Sequence, residues 1–220
     1  QGQVVVMTSP HVGNTGMNDE DPESRKIWVA GYVVRDPSPA PSNWRSRRSL
    51  EDSLKDAGVV GIRDIDTRAL TRHLRDRGAM RVGIFSGEAA GVPLEELVER
   101  VRATAPMTGA NLTADVSVDE AYVVPAIGEK RFTVAAVDLG IKSMTPHRMA
   151  ERGMEVHVVP ATIDAEELLG RGVDGIFFSN GPGDPATADH AVGLVQAALA
   201  AGRPVFGICF GHQMLGRALG

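Results

Sequence analysis

Hydrophobic positions divide the chain into two parts that follow different patterns. From residue 132 onward, runs rich in Val, Ile and Phe alternate with stretches of helical periodicity. The predicted strands are 132–138, 154–159, 173–178 and 204–208, and the predicted helices are 143–152, 164–170, 187–201 and 210–219. Near-continuous apolar strands that alternate with helices indicate a parallel sheet covered on both faces. The second part is therefore predicted to be an α/β domain.

The first part is predicted to be mixed α/β, with shorter apolar runs. Strands are expected at 3–7, 28–34 and 81–85, and helices at 49–57, from 66 or 67 to 77, and at 93–104. Ser49 is a favourable N-cap for the first helix, Asp66 or Thr67 caps the second, and Gly78 is its stop. The predicted organisation is a domain over 1–125, a linker at 126–131 and a domain over 132–220.

A single cysteine lies between the last predicted strand and the last helix. Cys209 stands in the frame Gly-x-Cys-x-Gly, the nucleophile-elbow pattern with sulfur in place of oxygen. A nucleophile on such a turn has a strained backbone, and side chains at the flanking glycines would collide with strand, helix or substrate. The helix N-terminus favours the thiolate, and its free N–H groups can hold an oxyanion. The alternative, a small buried hydrophobic Cys, is disfavoured by the two glycines.

A second special loop is predicted at the same edge of the sheet. The strand at 173–178 is followed by Ser-Asn-Gly-Pro-Gly-Asp-Pro, and ligands on parallel sheets bind at the carboxyl ends of strands. One interpretation is a plain tight turn. The other is that Gly181 directs its N–H towards the thiol and completes an oxyanion hole with the N–H of Phe210, while Gly183 lets a substrate approach closely.

Composition narrows the classes of function. The 220 residues are 43% hydrophobic and 23% charged, with a net charge of −5, which is ordinary globular composition. The basic cluster Arg45, Arg47 and Arg48 is interpreted as a solvated loop, so no nucleic-acid partner is expected. One Cys excludes an intrachain disulfide and a Cys-based metal cluster, and no His spacing suggests a metal site. No apolar run approaches a membrane span. We therefore expect a cytoplasmic protein with neither a metal nor a membrane partner.

Two further patterns contain basic residues. Gly-Ile-Lys-Ser at 140–143 resembles the end of a phosphate loop, but the inserted Ile and the missing upstream Gly break the pattern. No ATP site is therefore expected on this chain. Arg68, Arg72 and Arg75 spread around the predicted helix away from its leucine face. They are interpreted as a solvated face, with a partner-protein surface as the alternative.

The motifs together resemble a known family. Gly-Ile-Cys-Phe-Gly-His-Gln at 207–213, after the loop at 179–185, resembles the class I glutamine amidotransferases. The segments Thr-Ser-Pro-His-Val-Gly-Asn at 8–14, Asp-Ile-Asp-Thr-Arg-Ala-Leu-Thr-Arg at 64–72 and Val-Asp-Leu-Gly-Ile-Lys at 137–142 are similar to the small subunit of carbamoyl-phosphate synthetase. The resemblance covers essentially the whole chain. It implies an N-terminal docking domain and the first part of an amidotransferase domain with a flavodoxin-like parallel sheet.

The resemblance implies a role for each matching residue. Cys209 would attack the side-chain amide of glutamine, and the resulting thioester would be hydrolysed to glutamate. Gly181 and Phe210 would supply the oxyanion N–H groups. Gly183 and Gln213 would bind the glutamine substrate together with them.

The same resemblance implies that the triad is incomplete within these residues. His212 is interpreted as structural, because the base in the family is a distant His oriented by a Glu. That His and Glu are expected after Gly220, and a substrate-contacting Ser before Gln1. We therefore expect residues 1–220 alone to show no measurable glutaminase activity.

The resemblance also implies a partner. In the family, ammonia passes through a tunnel to a large subunit, which uses bicarbonate and two ATP to make carbamoyl phosphate for arginine and pyrimidines. ATP and Mg²⁺ would belong to that subunit, and no cofactor to this chain. Two alternatives stay open. One is another class I amidotransferase, for guanylate, anthranilate or cytidylate synthesis, which the Asp-Ile-Asp-Thr-Arg motif at 64–68 opposes. The other is a non-catalytic scaffold or binding subunit of the same fold.

Overall fold

The computed structural model describes residues 2–220 and divides into two compact units. The first unit ends at Pro106, and the second runs from Met107 to Gly220. Each unit has its own parallel sheet, as the mixed α/β pattern predicts. None of the helices within residues 2–220 combines the length and the apolar character that a membrane crossing needs.

The first unit is built on a small parallel sheet. Its strands are β1 (Val4–Val6), β3 (Gly31–Val33) and β5 (Val60–Ile62), in the order β1-β3-β5, and a separate parallel pair joins β2 (His11–Val12) to β4 (Asp36–Pro37). The helices are α1 (Leu50–Asp56), α2 (Thr67–Arg77) and α3 (Leu94–Arg102), with a 3-10 turn at Gly87–Gly91. Because β1, β3 and β5 are parallel, the carboxyl ends of these strands lie at the same edge of the sheet.

Helix caps in the first unit follow the sequence signals. The Ser49 hydroxyl accepts a hydrogen bond from the N–H of Asp52 at 3.0 Å. The Asp66 carboxylate accepts one from the N–H of Ala69 at 2.9 Å, which confirms Asp66 rather than Thr67 as the cap of α2. Gly78 ends α2 with φ of 85°, a conformation that favours glycine.

The strand predicted at 81–85 is wrong. Within the described residues these five positions form no strand. A Cβ on Gly83 would lie 2.6 Å from the Phe85 ring and 2.8 Å from the Val101 side chain, so this segment packs closely against α3 without pairing with another strand. The apolar residues that suggested a strand pack beside α3. The predicted strand at 28–34 is also shorter, because only Gly31–Val33 pairs with neighbours.

The second unit contains a five-stranded sheet. The strands are β6 (Tyr122–Val124), β7 (Phe132–Asp138), β8 (Met154–Pro160), β9 (Gly175–Phe178) and β10 (Val205–Gly207), in the order β10-β9-β7-β8-β6. All neighbours are parallel except β6, which is antiparallel to β8. The helices are α4 (Thr113–Val116), α5 (Met144–Ala150), α6 (Ala165–Gly170), α7 (Asp189–Ala200) and α8 (Phe210–Leu219), with a 3-10 turn at Pro185–Thr187. The strands and helices expected after residue 132 are confirmed.

Two apolar clusters cover the two faces of this sheet. Phe178 belongs to a cluster with residues of α7 and α8, including Val195 and Met214. Its neighbour Phe177 belongs to a second cluster with Ala150 of α5. Successive strand residues point to opposite faces, so one strand feeds both clusters. Each fully buried Val or Phe stabilises the fold by about 1.5–3 kcal/mol.

The two compact units divide between Pro106 and Met107, whereas the sequence predicts a linker at 126–131. β6 pairs with β8 through Val124 and Val156, and Val124 is buried in the second cluster. The segment before residue 125 therefore packs with the second unit. The position of the linker between the family domains stays a prediction.

Candidate active site

The candidate active site begins at a strained turn. Cys209 lies between β10 and α8 with φ of 52° and ψ of −109°. Among the described residues, only Cys209 and Asp64 have positive φ without being glycine. Such backbone strain costs about 1–3 kcal/mol and is concentrated at functional sites. Cys209 is exposed, so it is not the small buried hydrophobic residue of the alternative interpretation.

The two glycines of the elbow are required by contact between backbones. A Cβ on Gly207 would lie 2.5 Å from the carbonyl of Gly211 and 2.7 Å from the N of His212. A Cβ on Gly211 would collide with the carbonyl oxygen of Phe178. Because these neighbours are backbone atoms, no rotamer change could relieve the contact. The turn is therefore possible only with glycine on both sides of Cys209, as the sequence pattern predicts.

The elbow is tied to the end of the neighbouring strand. Gly207 is paired with Phe178 across the parallel strands β10 and β9. The N–H of Ile208 donates to the Phe178 carbonyl at 3.1 Å, and the N–H of Gly211 donates to the Ser179 carbonyl at 3.0 Å. The structure thus brings the elbow and the loop at 179–185 to one edge of the sheet.

That loop is fixed in turn against the end of β7. The Ser179 hydroxyl accepts from the N–H of Leu139 at 2.9 Å and donates to the Asn180 carbonyl at 2.8 Å. The Asn180 side chain donates to the Gly140 carbonyl at 2.7 Å. A Cβ on Gly181 would collide with the Leu139 carbonyl oxygen. The loop is more than a plain turn, because its shape depends on these close contacts.

Gly183 has a conformational role of its own. Its φ is 103°, and a Cβ there would lie 2.8 Å from the Ala110 carbonyl oxygen. The group that approaches Gly183 closely on that side is therefore the protein's own backbone. A substrate contact through the Gly183 backbone stays a prediction.

Asp184 holds the same turn in place. Its carboxylate accepts from the N–H of Gly109 at 2.8 Å and from that of Ala186 at 2.9 Å. These two bonds, and the charge of Arg217, hold the pKa of Asp184 below its usual value. Arg217 of α8 donates to the Pro185 carbonyl at 2.7 Å and pairs with Asp189 at 2.8 Å. The elbow helix and the loop are thus joined at a second point.

Backbone N–H donors at this edge are free. Within residues 2–220, the N–H groups of Gly181, Gly183 and Phe210 have no hydrogen-bond acceptor. The next N–H in α8, that of Gly211, is instead occupied by two carbonyls. The Phe210 side chain is buried in the apolar cluster and anchors the first turn of α8. The donors expected for an oxyanion hole are therefore available.

Gln213 and His212 lie in the first turn of α8. The N–H of Gln213 donates to the Cys209 carbonyl at 3.0 Å, which places Gln213 one turn from the thiol. Both side chains are exposed. In the part of the chain that the structure describes, no His or carboxylate forms a hydrogen bond with the Cys209 thiol. The exclusion of His212 as the base stays a prediction.

Sequence reasoning missed Asp138, which organises the loops around the site. This Asp is only 2% exposed, and its carboxylate accepts from the N–H groups of Gly140, Ile141 and Val118 at 2.8, 2.7 and 2.9 Å. The N–H groups of Gly140 and Ile141 are therefore occupied and do not face a phosphate. An Asp directly at the end of a buried strand and two residues before Gly140 was the signal that could have identified it.

The fold and the elbow define the class of protein. A strained Cys elbow beside a glycine-rich loop, on a parallel α/β sheet, is the architecture of a class I glutamine amidotransferase domain. The family model described as glutamine amidotransferase class-I matches residues 135–220. A second model, described as the CPSase domain of the carbamoyl-phosphate synthase small chain, matches residues 1–84.

Individual relatives agree with both matches. The carbamoyl phosphate synthase small chain of Streptomyces coelicolor is 69% identical over 219 residues, 99% of this chain and 57% of that protein. Those of Mycolicibacterium paratuberculosis and Mycobacterium tuberculosis are 58% and 56% identical, over 99% of this chain and 59% of each relative. The chain belongs to the carbamoyl-phosphate synthase small-chain family. It spans 57% to 59% of the length of these relatives.

Proposed function

We propose that this protein is the glutaminase subunit of a carbamoyl-phosphate synthase. The observation that carries the proposal is the exposed thiol of Cys209 on a strained elbow, beside a loop with free N–H groups. This arrangement serves attack on an amide carbon, since it presents a nucleophile and donors for the developing negative charge. The names of the relatives agree with this activity.

The proposed reaction has two steps. The Cys209 thiolate attacks the side-chain amide carbon of glutamine, the C–N bond breaks, and ammonia leaves with a proton to give a thioester. Water then attacks the thioester carbon, which releases glutamate and restores the thiol. The N–H groups of Gly181 and Phe210 donate to the oxyanion in both steps. Each such donor is worth about 10²–10³ in rate.

Substrate binding and proton transfer involve further residues. We propose that Gly183 and Gln213 contact glutamine together with the backbone of Gly181 and Phe210. We propose that a His oriented by a Glu moves the protons, as the resemblance to the class I amidotransferases implies. General acid–base catalysis of this kind contributes about 10²–10⁴ in rate.

The product of this chain's reaction requires an acceptor. We propose that ammonia passes to a large subunit, where bicarbonate and ATP with Mg²⁺ give carbamoyl phosphate for arginine and pyrimidine synthesis in the cytoplasm. The match of residues 1–84 to the small-chain CPSase domain supports a large-subunit partner. This chain would hold no cofactor of its own.

The test is Cys209→Ser in the full-length protein assembled with its large subunit. We expect glutamine-dependent synthesis of carbamoyl phosphate to be abolished, while synthesis from free ammonia is retained because the ATP chemistry is elsewhere. The measurement is carbamoyl phosphate formation with each nitrogen source. Glutamine-dependent activity near that of the unaltered protein would show that Cys209 is not the nucleophile.

A second candidate function is a non-catalytic scaffold of the same fold. It stays open because the matches to the small-chain CPSase domain and to the class I amidotransferase domain describe the fold of a catalytic and of a non-catalytic subunit alike. The unaltered complex distinguishes the two proposals. A scaffold would support synthesis from ammonia but give no glutamate from glutamine, whereas the glutaminase produces glutamate that depends on Cys209.

A further inference from the structure

The first unit contains a basic cleft at the carboxyl edge of its parallel sheet. The cleft has a volume of about 640 Å³, within the usual range for small-molecule sites. Thr8 follows β1, Arg35 follows β3, and the first turns of α2 supply Thr67 and Arg68 to the lining. Strands of this sheet converge there in parallel, the position where open α/β sheets bind ligands.

The positive charge of this cleft is poorly compensated by the protein itself. Within residues 2–220, Arg68 and Arg72 take part in no ion pair or hydrogen bond. Arg35 is 3.9 Å from Asp66, whose carboxylate also accepts the cap bond of α2. Arg68 and Arg72 are four residues apart on one helix, a spacing at which like charges repel. A bound anion would reduce the repulsion between these two guanidinium groups.

The cleft also contains an unpaired hydroxyl on an otherwise buried side chain. Thr67 is 2% exposed and lines the cleft. Its N–H donates to the Ile65 carbonyl at 2.8 Å, and its carbonyl accepts from the Thr71 hydroxyl at 2.6 Å. Among the described residues, the Thr67 hydroxyl itself has no partner. The Thr67 hydroxyl is not a fully enclosed atom, so it opens into the cleft and is available to donate to an acceptor bound there.

We propose that this cleft binds a small anion of the phosphate class, either inorganic phosphate or the phosphate group of a small metabolite. The planar guanidinium groups of Arg68 and Arg72 match phosphate oxygens in a bidentate manner. The Thr67 hydroxyl donates to a third oxygen. A concave site with a donor at its base fits a compact anion better than the acidic surface of another protein. The proposal does not depend on glutamine hydrolysis.

The experiment is calorimetric titration of the full-length protein at constant ionic strength. The probes are inorganic phosphate and glycerol 3-phosphate, with chloride as the balancing anion. We expect saturable binding that is weakened about tenfold or more in Arg68→Gln and Arg72→Gln, because each removes a charge-assisted bidentate contact. Thr67→Val should weaken binding as well. The matched control is Arg77→Gln, on the same helix but outside the cleft, which should bind normally.

Each outcome decides the proposal. Tighter binding of the ester than of inorganic phosphate would assign the site to a metabolite, and the reverse would assign it to the free ion. The absence of saturable binding, or equal weakening in Arg77→Gln, would overturn the proposal. So would tight binding of a polyglutamate peptide that phosphate does not displace, because the cleft would then be a surface for an acidic protein partner. Circular dichroism of each variant verifies that the fold is retained.

Discussion

Single glycines decide whether the elbow can form. Gly207 and Gly211 lie where the backbone of β10 meets the first turn of α8 and the end of β9, and a side chain at either would overlap backbone atoms. Cys209 takes its strained conformation between them. Gly216, in the same helix, has open space around its Cβ direction. The helix therefore contains a glycine that the site needs and one that it does not.

Gly207→Ala should reduce stability and glutaminase activity together, because the new Cβ would lie 2.5 Å from the Gly211 carbonyl. Gly216→Ala is the matched control and should stabilise α8 by about 0.5–1 kcal/mol through helix propensity. Denaturant unfolding and glutamine hydrolysis of both variants test this. A Gly207→Ala variant as stable and active as the unaltered protein would contradict the packing argument.

Phe210→Leu should retain kcat, since its proposed catalytic group is the backbone N–H. The substitution keeps an apolar side chain in the cluster and should cost about 1 kcal/mol of stability. Phe210→Ala should cost about 3–5 kcal/mol because it leaves a cavity. Thermal unfolding and steady-state kinetics separate the two effects. A folded Leu variant with a large loss of kcat would assign a catalytic role to the ring instead.

The strands and loops around the site are connected by polar side chains that form hydrogen bonds with backbone groups. Asp138 at the end of β7 accepts three N–H groups, and Ser179 after β9 accepts the N–H of Leu139. Asp184 and Arg217 join the loop to α8 and to the segment at 109. These contacts fix the positions of the elbow and the glycine-rich loop relative to each other.

The contribution of Asp184 to the free energy of unfolding should decrease at acid pH. Its pKa is lowered from 3.8, first by the Gly109 N–H, so the native state binds the proton more weakly than the unfolded chain. The stabilisation is therefore full above pH 3.8 and is lost as the pH falls through the lower native pKa. Asp184→Asn should be less stable at neutral pH, and the difference from the unaltered protein should narrow below pH 3.8. Chemical unfolding at several pH values measures this, and a difference independent of pH would contradict it.

The whole molecule consists of two units whose boundary lies before β6. Val124 pairs with Val156 and is 8% exposed, and the Ser117 hydroxyl accepts the N–H of Ala161 at 2.8 Å. The segment from 107 to 124 therefore takes part in the architecture of the amidotransferase unit. The basic cleft belongs to the other unit, so the molecule has two separate places where ligands are expected.

Val124→Ala tests this boundary. It removes buried methyl groups and should destabilise the second unit by about 1–3 kcal/mol. Hydrogen exchange should become faster in β8 and β6, while β1 and β3 keep their protection. Faster exchange confined to the first unit would instead place residue 124 with that unit.

Much of the fold and the position of the proposed nucleophile could be predicted from the sequence alone. The alternation of apolar strands and helices after residue 132 is local and strong, and the caps at Ser49 and Asp66 are set by side chains next to the helix they begin. Cys209 could be identified because a glycine-flanked Cys between a strand and a helix has few structural explanations. Such signals depend on neighbours in sequence, which a single chain displays directly.

Only the tertiary structure decided which distant groups meet. β6 is three residues long and joins the second sheet as an antiparallel edge, which no local pattern shows. The apolar residues at 81–85 resembled a strand, yet among the described residues they pair with no strand and pack beside α3. The three N–H bonds of Asp138 and the unpaired hydroxyl of Thr67 likewise depend on burial among residues far apart in sequence. Burial and strand pairing are properties of the folded chain, and they determine both the strained elbow and the basic cleft.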